Sequence, residues 1–249
     1  MAHVCGRMTQ QVSPSEVARI FDAELRDPEA FADVPPRYNV APTQPLMVVV
    51  GREDGRVIEQ HRWGLVPSWS KSVAQQGARL INARAETVAH SGAFRESFLR
   101  RRCIVPADGF YEWRREGRRR DPFLIRPADG STMAFAGLWA PWKDPASGEW
   151  LLSTAVVTTA ANATVGQLHD RMPVVLGPDT WPLWLDPFVR DSVLLSNFLE
   201  PAPRDALELV PVSPLVNSPH NEGPELLAPR GDVAAGEAVP LKLFGPRFG

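Results

Sequence analysis

Proline recurs 25 times in 249 residues, and this limits what the chain can build. Each ring removes a backbone donor and clashes with the preceding turn of a helix, at a cost of about 3 kcal/mol in a helix interior. A helical bundle is therefore excluded, and many ordered loops over a compact β core are expected. Short apolar runs supply that core. They lie at Leu46 to Val50, Val57 to Trp63, Cys103 to Val105, Phe123 to Ile125, Met133 to Trp139 and Leu151 to Thr158, separated by Pro, Gly and Asp clusters. The segment Arg114 to Arg120, with Gly117 in its middle, reads as a hairpin turn between Phe110–Trp113 and Phe123–Ile125.

Helices are fewer. Ser13-Pro14-Ser15-Glu16 carries an N-cap serine, a proline at the first helical position and a capping-box glutamate. Val17, Ile20, Phe21 and Leu25 then fall on one helical face. Further helical stretches are read around Gly92 to Arg100 and from Thr180 to Leu199, and Pro229 to Gly249 reads as a loosely attached tail. With no internal repeat and no clear linker, the pattern is one α+β domain.

A chain of this length buries an ample core without disulfides. No apolar run approaches membrane-spanning length, and the opening residues lack the regions of a signal peptide, so a cytoplasmic location is expected. The two cysteines are Cys5 and Cys103. Cys103, inside an apolar stretch, reads as a buried small hydrophobe. The net charge is −2, so any nucleic acid must be held by a local basic patch. Lys71, Lys143 and Lys242 are the only lysines. The arginine bias suits bidentate phosphate contacts, although a GC-rich genome is the preferred explanation of it. The five histidines show no ligand spacing with acids or cysteines, so neither metal nor cofactor is expected.

Four strings place Asn, Arg, Glu or His among apolar or small neighbours, where they are costly without partners. They are Arg37-Tyr38-Asn39-Val40-Ala41-Pro42-Thr43, Ile81-Asn82-Ala83-Arg84-Ala85-Glu86-Thr87, Asp108-Gly109-Phe110-Tyr111-Glu112-Trp113 and His169-Asp170-Arg171-Met172-Pro173-Val174. Together with Cys5-Gly6-Arg7, Trp63-Gly64-Leu65-Val66-Pro67-Ser68-Trp69 and the late Pro211-Val212-Ser213 and Asn221-Glu222-Gly223-Pro224-Glu225-Leu226, this set resembles the SRAP (SOS response-associated peptidase) family from Cys5 to about Pro229. The order and spacing of several motifs carry the resemblance; no single tetrapeptide would.

The resemblance implies a single domain over residues 5–229 with a barrel-like, mainly antiparallel β core and peripheral helices. It implies a positively charged channel for single-stranded DNA and a covalent thiazolidine link to the ring-opened aldehyde of an abasic site, which shields the lesion from strand cleavage in the DNA-damage response. No partner beyond that DNA is implied, and a monomer is expected. Cys5 matches the family nucleophile, whose amine forms an imine and whose thiolate closes the ring. Glu112 matches the glutamate that shuttles protons. His169 matches the histidine that promotes opening of the deoxyribose, and Asn82 the amide that orients the reacting groups. Arg7, Arg84 and Arg171 match positions around the DNA phosphates, with pairing of Arg171 to Glu86 or Asp170 an equal alternative. Asn39 and Pro42 match the pocket lining, and Trp69 a stacking surface that is expected to be exposed. Ser70 stands where some relatives carry a second aromatic. Arg100-Arg101-Arg102 could widen the basic footprint, whereas the hairpin arginines read as a solvated face.

The leader Met1-Ala2-His3-Val4 conflicts with this chemistry, because it makes the Cys5 nitrogen an amide. Residues 1–4 are expected to be absent from the mature protein. Initiation at Val4, whose GUG codon is also a bacterial start, followed by methionine removal would expose the amine; cleavage after Val4 is the second route. Two other classes fit the same residues: a thiol peptidase or autoprotease using Cys5, His169 and Glu112, and a noncatalytic single-stranded DNA-binding module; a lyase side activity is an expectation attached to the abasic-site chemistry.

Overall fold

A computed structural model describes residues 5–76, 79–117 and 119–230. The leader 1–4 and the tail from residue 231 onward lie outside the described residues. Twelve strands occur in this part of the chain. They are β1 Met8–Gln10, β2 Arg37–Val40, β3 Pro45–Arg52, β4 Gly55–Trp63, β5 Asn82–Arg84, β6 Arg102–Ala107, β7 Gly109–Glu116, β8 Arg119–Pro127, β9 Met133–Lys143, β10 Trp150–Ala160, β11 Arg171–Pro173 and β12 Leu207–Pro211. The helices are short: α1 Pro14–Phe21, α2 Pro28–Phe31, α3 Val73–Gln76, α4 Arg95–Arg100, α5 Trp181–Leu185 and α6 Ser192–Ser196. The expected α+β, β-rich single domain is what forms.

Strands β10, β4, β3, β6 and β9 are neighbours in that order, and β9 also pairs with β10, which closes a five-stranded barrel. Pairing is antiparallel except that β10 runs parallel to β4 and β5. A second sheet, ordered β12-β8-β7-β1-β2, lies beside it. Alternate barrel residues serve two layers. Met47, Val49, Ile58, Ile104, Ala136 and Val157 pack against Val17 and Phe21 of α1, Phe98 of α4 and Trp184 of α5. Leu46, Val48, Val50, Val57, Val105, Phe135 and Val156 pack against Met8, Phe110 and Ile125 of the second sheet. Gln10 stitches the two sheets together. Its buried amide donates to the carbonyls of Met47 and Pro106, both at 2.8 Å, and accepts from the Met47 N–H at 2.9 Å.

The helix start at Ser13 forms as the sequence dictates: Ser13 Oγ accepts from the Glu16 N–H at 3.2 Å and Pro14 opens the helix. The β7–β8 hairpin closes between Glu116 and Arg119, with Gly117 at φ 59°, a left-handed value that costs glycine nothing. Gly51 permits a close approach. A Cβ there would lie 1.9 Å from the Leu185 carbonyl oxygen, so α5 seats on β3 only over a glycine.

Two expectations are corrected. The stretch from Thr180 to Leu199 is two short helices, α5 and α6, parted by a bend at Asp186-Pro187. Arg102 is not part of a surface footprint but is 3% exposed. Its guanidinium donates to the carbonyls of Phe98, Trp184, Asp186 and Val189 at 2.5 to 2.9 Å, and burial lowers its pKa to about 10. Those carbonyls come from the ends of α4 and α5 and the loop after α5, where helices leave acceptors unpaired. Arg100 and Arg101 instead pair with Glu96 on α4.

Candidate functional site: a cysteine nitrogen on a buried carboxyl

Strand β1 is laid against β7 with Met8 opposite Phe110, and the Tyr111 N–H continues the ladder to the Arg7 carbonyl at 2.9 Å. Extending that antiparallel register brings the residues before β1 alongside Glu112. The Cys5 backbone nitrogen donates to Glu112 Oε1 at 2.8 Å. Both residues are buried, at 0% and 4% exposure. Burial removes water from the Glu112 carboxyl and raises its pKa to about 7, with the Asp170 charge adding to the rise and the Cys5 N–H, the Trp113 N–H and the Arg115 charge opposing it. Burial likewise pushes the Cys5 thiol well above its ordinary range, and the Glu112 charge pushes the same way. Cys5 also has φ 43°, a left-handed backbone that a non-glycine residue adopts at a cost of about 1–2 kcal/mol.

Three further candidates gather at the C-terminal end of β10. Strand β5 joins one side of it with Asn82 opposite Val156 and Arg84 opposite Thr158. Strand β11 joins the other with Arg171 opposite Ala160. Asn82, Arg84 and Arg171 thus flank one strand end. Arg84 is exposed. Arg171 forks onto Glu86 at 2.5 and 2.9 Å and donates to the Thr158 carbonyl at 2.7 Å, so of the two readings open for it the carboxylate pair is formed.

His169 enters just before β11, on a 3-10 turn over Val165–Gln167. Its Nδ1 accepts from the Arg171 N–H at 3.1 Å and lies 2.7 Å from Asp170 Oδ1. The Asp170 charge is felt at Glu112, so the His169 segment lies within electrostatic range of that carboxyl. The sequence reading missed the residue that holds this turn. Asn162 Oδ1 accepts from the N–H groups of Thr164 and Val165, at 3.1 and 2.9 Å, while its Nδ2 donates to the carbonyls of Ala202 and Pro203. An asparagine two and three residues before the donors it satisfies is the signature of an Asx turn, and Asn162-Ala163-Thr164 shows it in the sequence.

Arg7 and Asn39 form a separate subsite. Arg7 donates to Asn39 Oδ1 at 2.7 Å and to the Val216 carbonyl at 2.9 Å, and its guanidinium lies 5.9 Å from the centre of the Trp113 ring. Asn39 is 0% exposed, and its amide donates to the carbonyls of Ser218 and Asn221 at 2.9 and 2.8 Å. Asn39 therefore fixes Arg7 and the 216–221 segment and does not face solvent. Pro42 follows β2 and is half-buried, next to Thr43 at φ 76°. Trp69 is 64% exposed in the loop after β4, whereas Ser70 is buried, its carbonyl accepting from the Trp142 indole at 2.9 Å and its hydroxyl donating to the Ser72 carbonyl at 3.0 Å.

Among the described residues no group of three or more His, Cys, Asp and Glu side chains is placed to hold a metal ion, and no helix is long and apolar enough to cross a membrane. A family model described as SOS response associated peptidase (SRAP) matches residues 4–219. The chain is 37% identical over 225 residues to the abasic site processing protein YoqW of Bacillus subtilis, across 90% of this chain and 99% of the relative. It is 30% identical over 237 residues to the abasic site processing protein YedK of Escherichia coli, across 91% and 100%. A crystal structure of a protein from Bacteroides thetaiotaomicron superposes with a TM-score of 0.82 over 91% of this chain and 100% of that one, at 23% identity, a likeness of fold.

Proposed function

We propose a function from one premise: this chain belongs to the SOS response associated peptidase (SRAP) family, whose curated relatives are abasic site processing proteins. The function is covalent capture of an abasic site in single-stranded DNA by Cys5, with residues 5–229 as the working unit. One observation carries the reading: the Cys5 nitrogen sits 2.8 Å from a buried carboxyl whose pKa is about 7. Such a carboxyl holds or releases a proton at neutral pH, and it is in reach of the atom whose protonation must change.

The chemistry balances without redox. The neutral α-amine of Cys5 adds to the aldehyde carbon of the ring-opened sugar, and the carbonyl oxygen takes a proton to give a carbinolamine. Its C–O bond breaks with loss of one water, leaving an imine. The Cys5 sulfur then adds to the imine carbon as its thiol proton is removed, the nitrogen takes up a proton, and a five-membered thiazolidine closes. Glu112 supplies a proton to the departing water and accepts the one that the thiol, held high by burial, does not readily give to solvent. His169 acts as acid and base on the sugar oxygen. Asn82 orients the reacting groups, Arg7, Arg84 and Trp69 hold the strand, and Arg171 joins them by exchanging Glu86 for a phosphate. The raised thiol pKa favours this reading over a thiol peptidase, which needs a thiolate before its substrate arrives.

The left-handed φ at Cys5 fits removal of the leader. Once Val4 is gone that dihedral no longer joins two peptide groups, its strain is relieved, and the nitrogen next to Glu112 becomes an amine. The test is Cys5→Ala in a protein beginning at residue 5. Denaturing gels with an abasic single strand are expected to show complete loss of the trapped species, while noncovalent binding to the same strand stays within about threefold of wild type. Retained trapping would overturn the assignment of Cys5, and loss of both signals would overturn the separation of capture from binding.

A further inference from the structure

The β7–β8 hairpin carries an arrangement that the capture chemistry does not use. Register places Arg115 directly opposite Arg120. Like charges facing each other across an antiparallel pair are destabilising, and both residues are exposed. The neighbouring charges are compensated. Arg119 pairs with Asp121 at 2.8 Å and lies opposite Glu116, Arg230 also pairs with Asp121, and the Arg114 guanidinium lies 4.6 Å from the centre of the Phe123 ring. Among the described residues the side chains of Arg115 and Arg120 take part in no hydrogen bond or ion pair, although their backbones pair in the ladder.

Alternation puts Trp113, Arg115 and Arg120 on one face of the hairpin, and Arg7 stacks over Trp113 on that face. A row therefore runs from Arg7 through an indole ring to an uncompensated pair of guanidinium groups. Arg115 is three residues along the strand from Glu112, roughly 10 Å, and on the opposite face of the hairpin, so a strand leaving Glu112 reaches the pair by turning over the hairpin end; the Arg115 charge is felt at that carboxyl. Guanidinium forks and an aromatic ring in one row match the alternating phosphates and bases of a single nucleic-acid strand.

We propose that the Arg115–Arg120 pair at the hairpin binds the phosphates of the DNA strand a few nucleotides from the captured lesion. This rests on the reading above and extends it from the lesion to its flank. The phosphates also relieve the repulsion that the free hairpin carries.

The test uses a single-stranded oligonucleotide bearing a tetrahydrofuran abasic analogue, which has no aldehyde, so that only noncovalent binding is read. Affinity is measured by fluorescence anisotropy across a salt series for wild type, for Arg115→Gln/Arg120→Gln, and for Arg190→Gln as a surface control on the helical side. Each phosphate contact on a single strand contributes a slope of about 0.7 in log K against log salt. Loss of two contacts is expected to lower the slope by about 1.4, with the control unchanged. Trimming the oligonucleotide on the hairpin side is expected to erase the difference between wild type and the double variant. Equal slopes for wild type and the double variant on the full oligonucleotide would overturn the proposal. Trapping of an aldehyde-bearing strand by wild type is scored separately: its absence overturns the capture reading, whereas equal slopes beside intact trapping overturn the hairpin contact alone.

Discussion

Glu112→Gln is expected to slow covalent trapping by about 10²- to 10⁴-fold, the range for removing a positioned acid–base group, while leaving the fold intact. The amide keeps the size of the side chain and its acceptor for the Cys5 nitrogen, but it neither takes nor gives a proton. The pH profile separates this role from a structural one. Burial holds the Glu112 carboxyl at about 7 beside the Cys5 amide, and the α-ammonium of a chain that begins at Cys5 draws it down from there; wild-type trapping should follow a bell in pH, because the acid form assists loss of water and the base form accepts the thiol proton. In Glu112→Gln that ionisation disappears, and the residual rate should rise steadily through the titration of the α-amine at about 7.7–8.0.

Stability should move the other way. The folded carboxyl keeps its proton up to a pH of about 7, whereas the unfolded one releases it near the model value of 4.5. Folding therefore binds a proton within that window, and this group's contribution to stability falls as pH rises through it. At 1.36 kcal/mol per unit the cost above neutrality is roughly 3 kcal/mol. Glu112→Gln does not bear that cost, so thermal melts above pH 7 should show a variant at least as stable as wild type. A variant that loses trapping and melts lower would point to a structural glutamate instead.

The second large effect concerns the amino terminus. A chain beginning at Cys5 is expected to trap an abasic strand in a form that survives denaturation, and the same chain with Met1-Ala2-His3-Val4 attached is expected to give none. The difference is qualitative, because an amide nitrogen forms no imine and the thiol alone gives only a reversible thiohemiacetal. Trimming the leader enzymatically should restore trapping, and intact mass should show native, trapping-competent protein starting at Cys5. Stable trapping by the untrimmed chain would exclude an essential free amine.

Long elements were legible in the sequence and short ones were not. The apolar runs marked β3, β4, β6, β8, β9 and β10, because strands buried on both faces need continuous apolar sequence. β1, β2, β5, β11 and β12 span three to five residues each, and Arg37–Val40, Asn82–Arg84 and Arg171–Pro173 are rich in the polar residues of the site. Their extended state is imposed by the strands beside them. Barrel closure through β9 and β10, and the parallel docking of β5, join residues far apart in sequence that no local pattern encodes. Arg102 was misread for a similar reason: the carbonyls that bury it belong mainly to α5 and the loop after it, over 80 residues later.

Within the site, the resemblance named Cys5, Glu112, Asn82 and His169, and the register of β1 on β7 explains how a cysteine and a glutamate 107 residues apart meet. Composition could not show that Asn39 would be sealed beneath Arg7, or that Arg171 would be claimed by Glu86. Both outcomes depend on which face of a short strand turns inward.

The most direct test of the central claim is the chemical identity of the trapped species. Protein beginning at Cys5 is reacted with an abasic single strand, digested with protease and nuclease, and analysed by mass spectrometry. The account expects one adduct, on the amino-terminal peptide containing Cys5, with the summed mass less one water. It should carry no alkylatable thiol and, with its ring closed, should gain no hydrogens on borohydride treatment. An adduct on any other residue, or one that keeps a free Cys5 thiol, would contradict it.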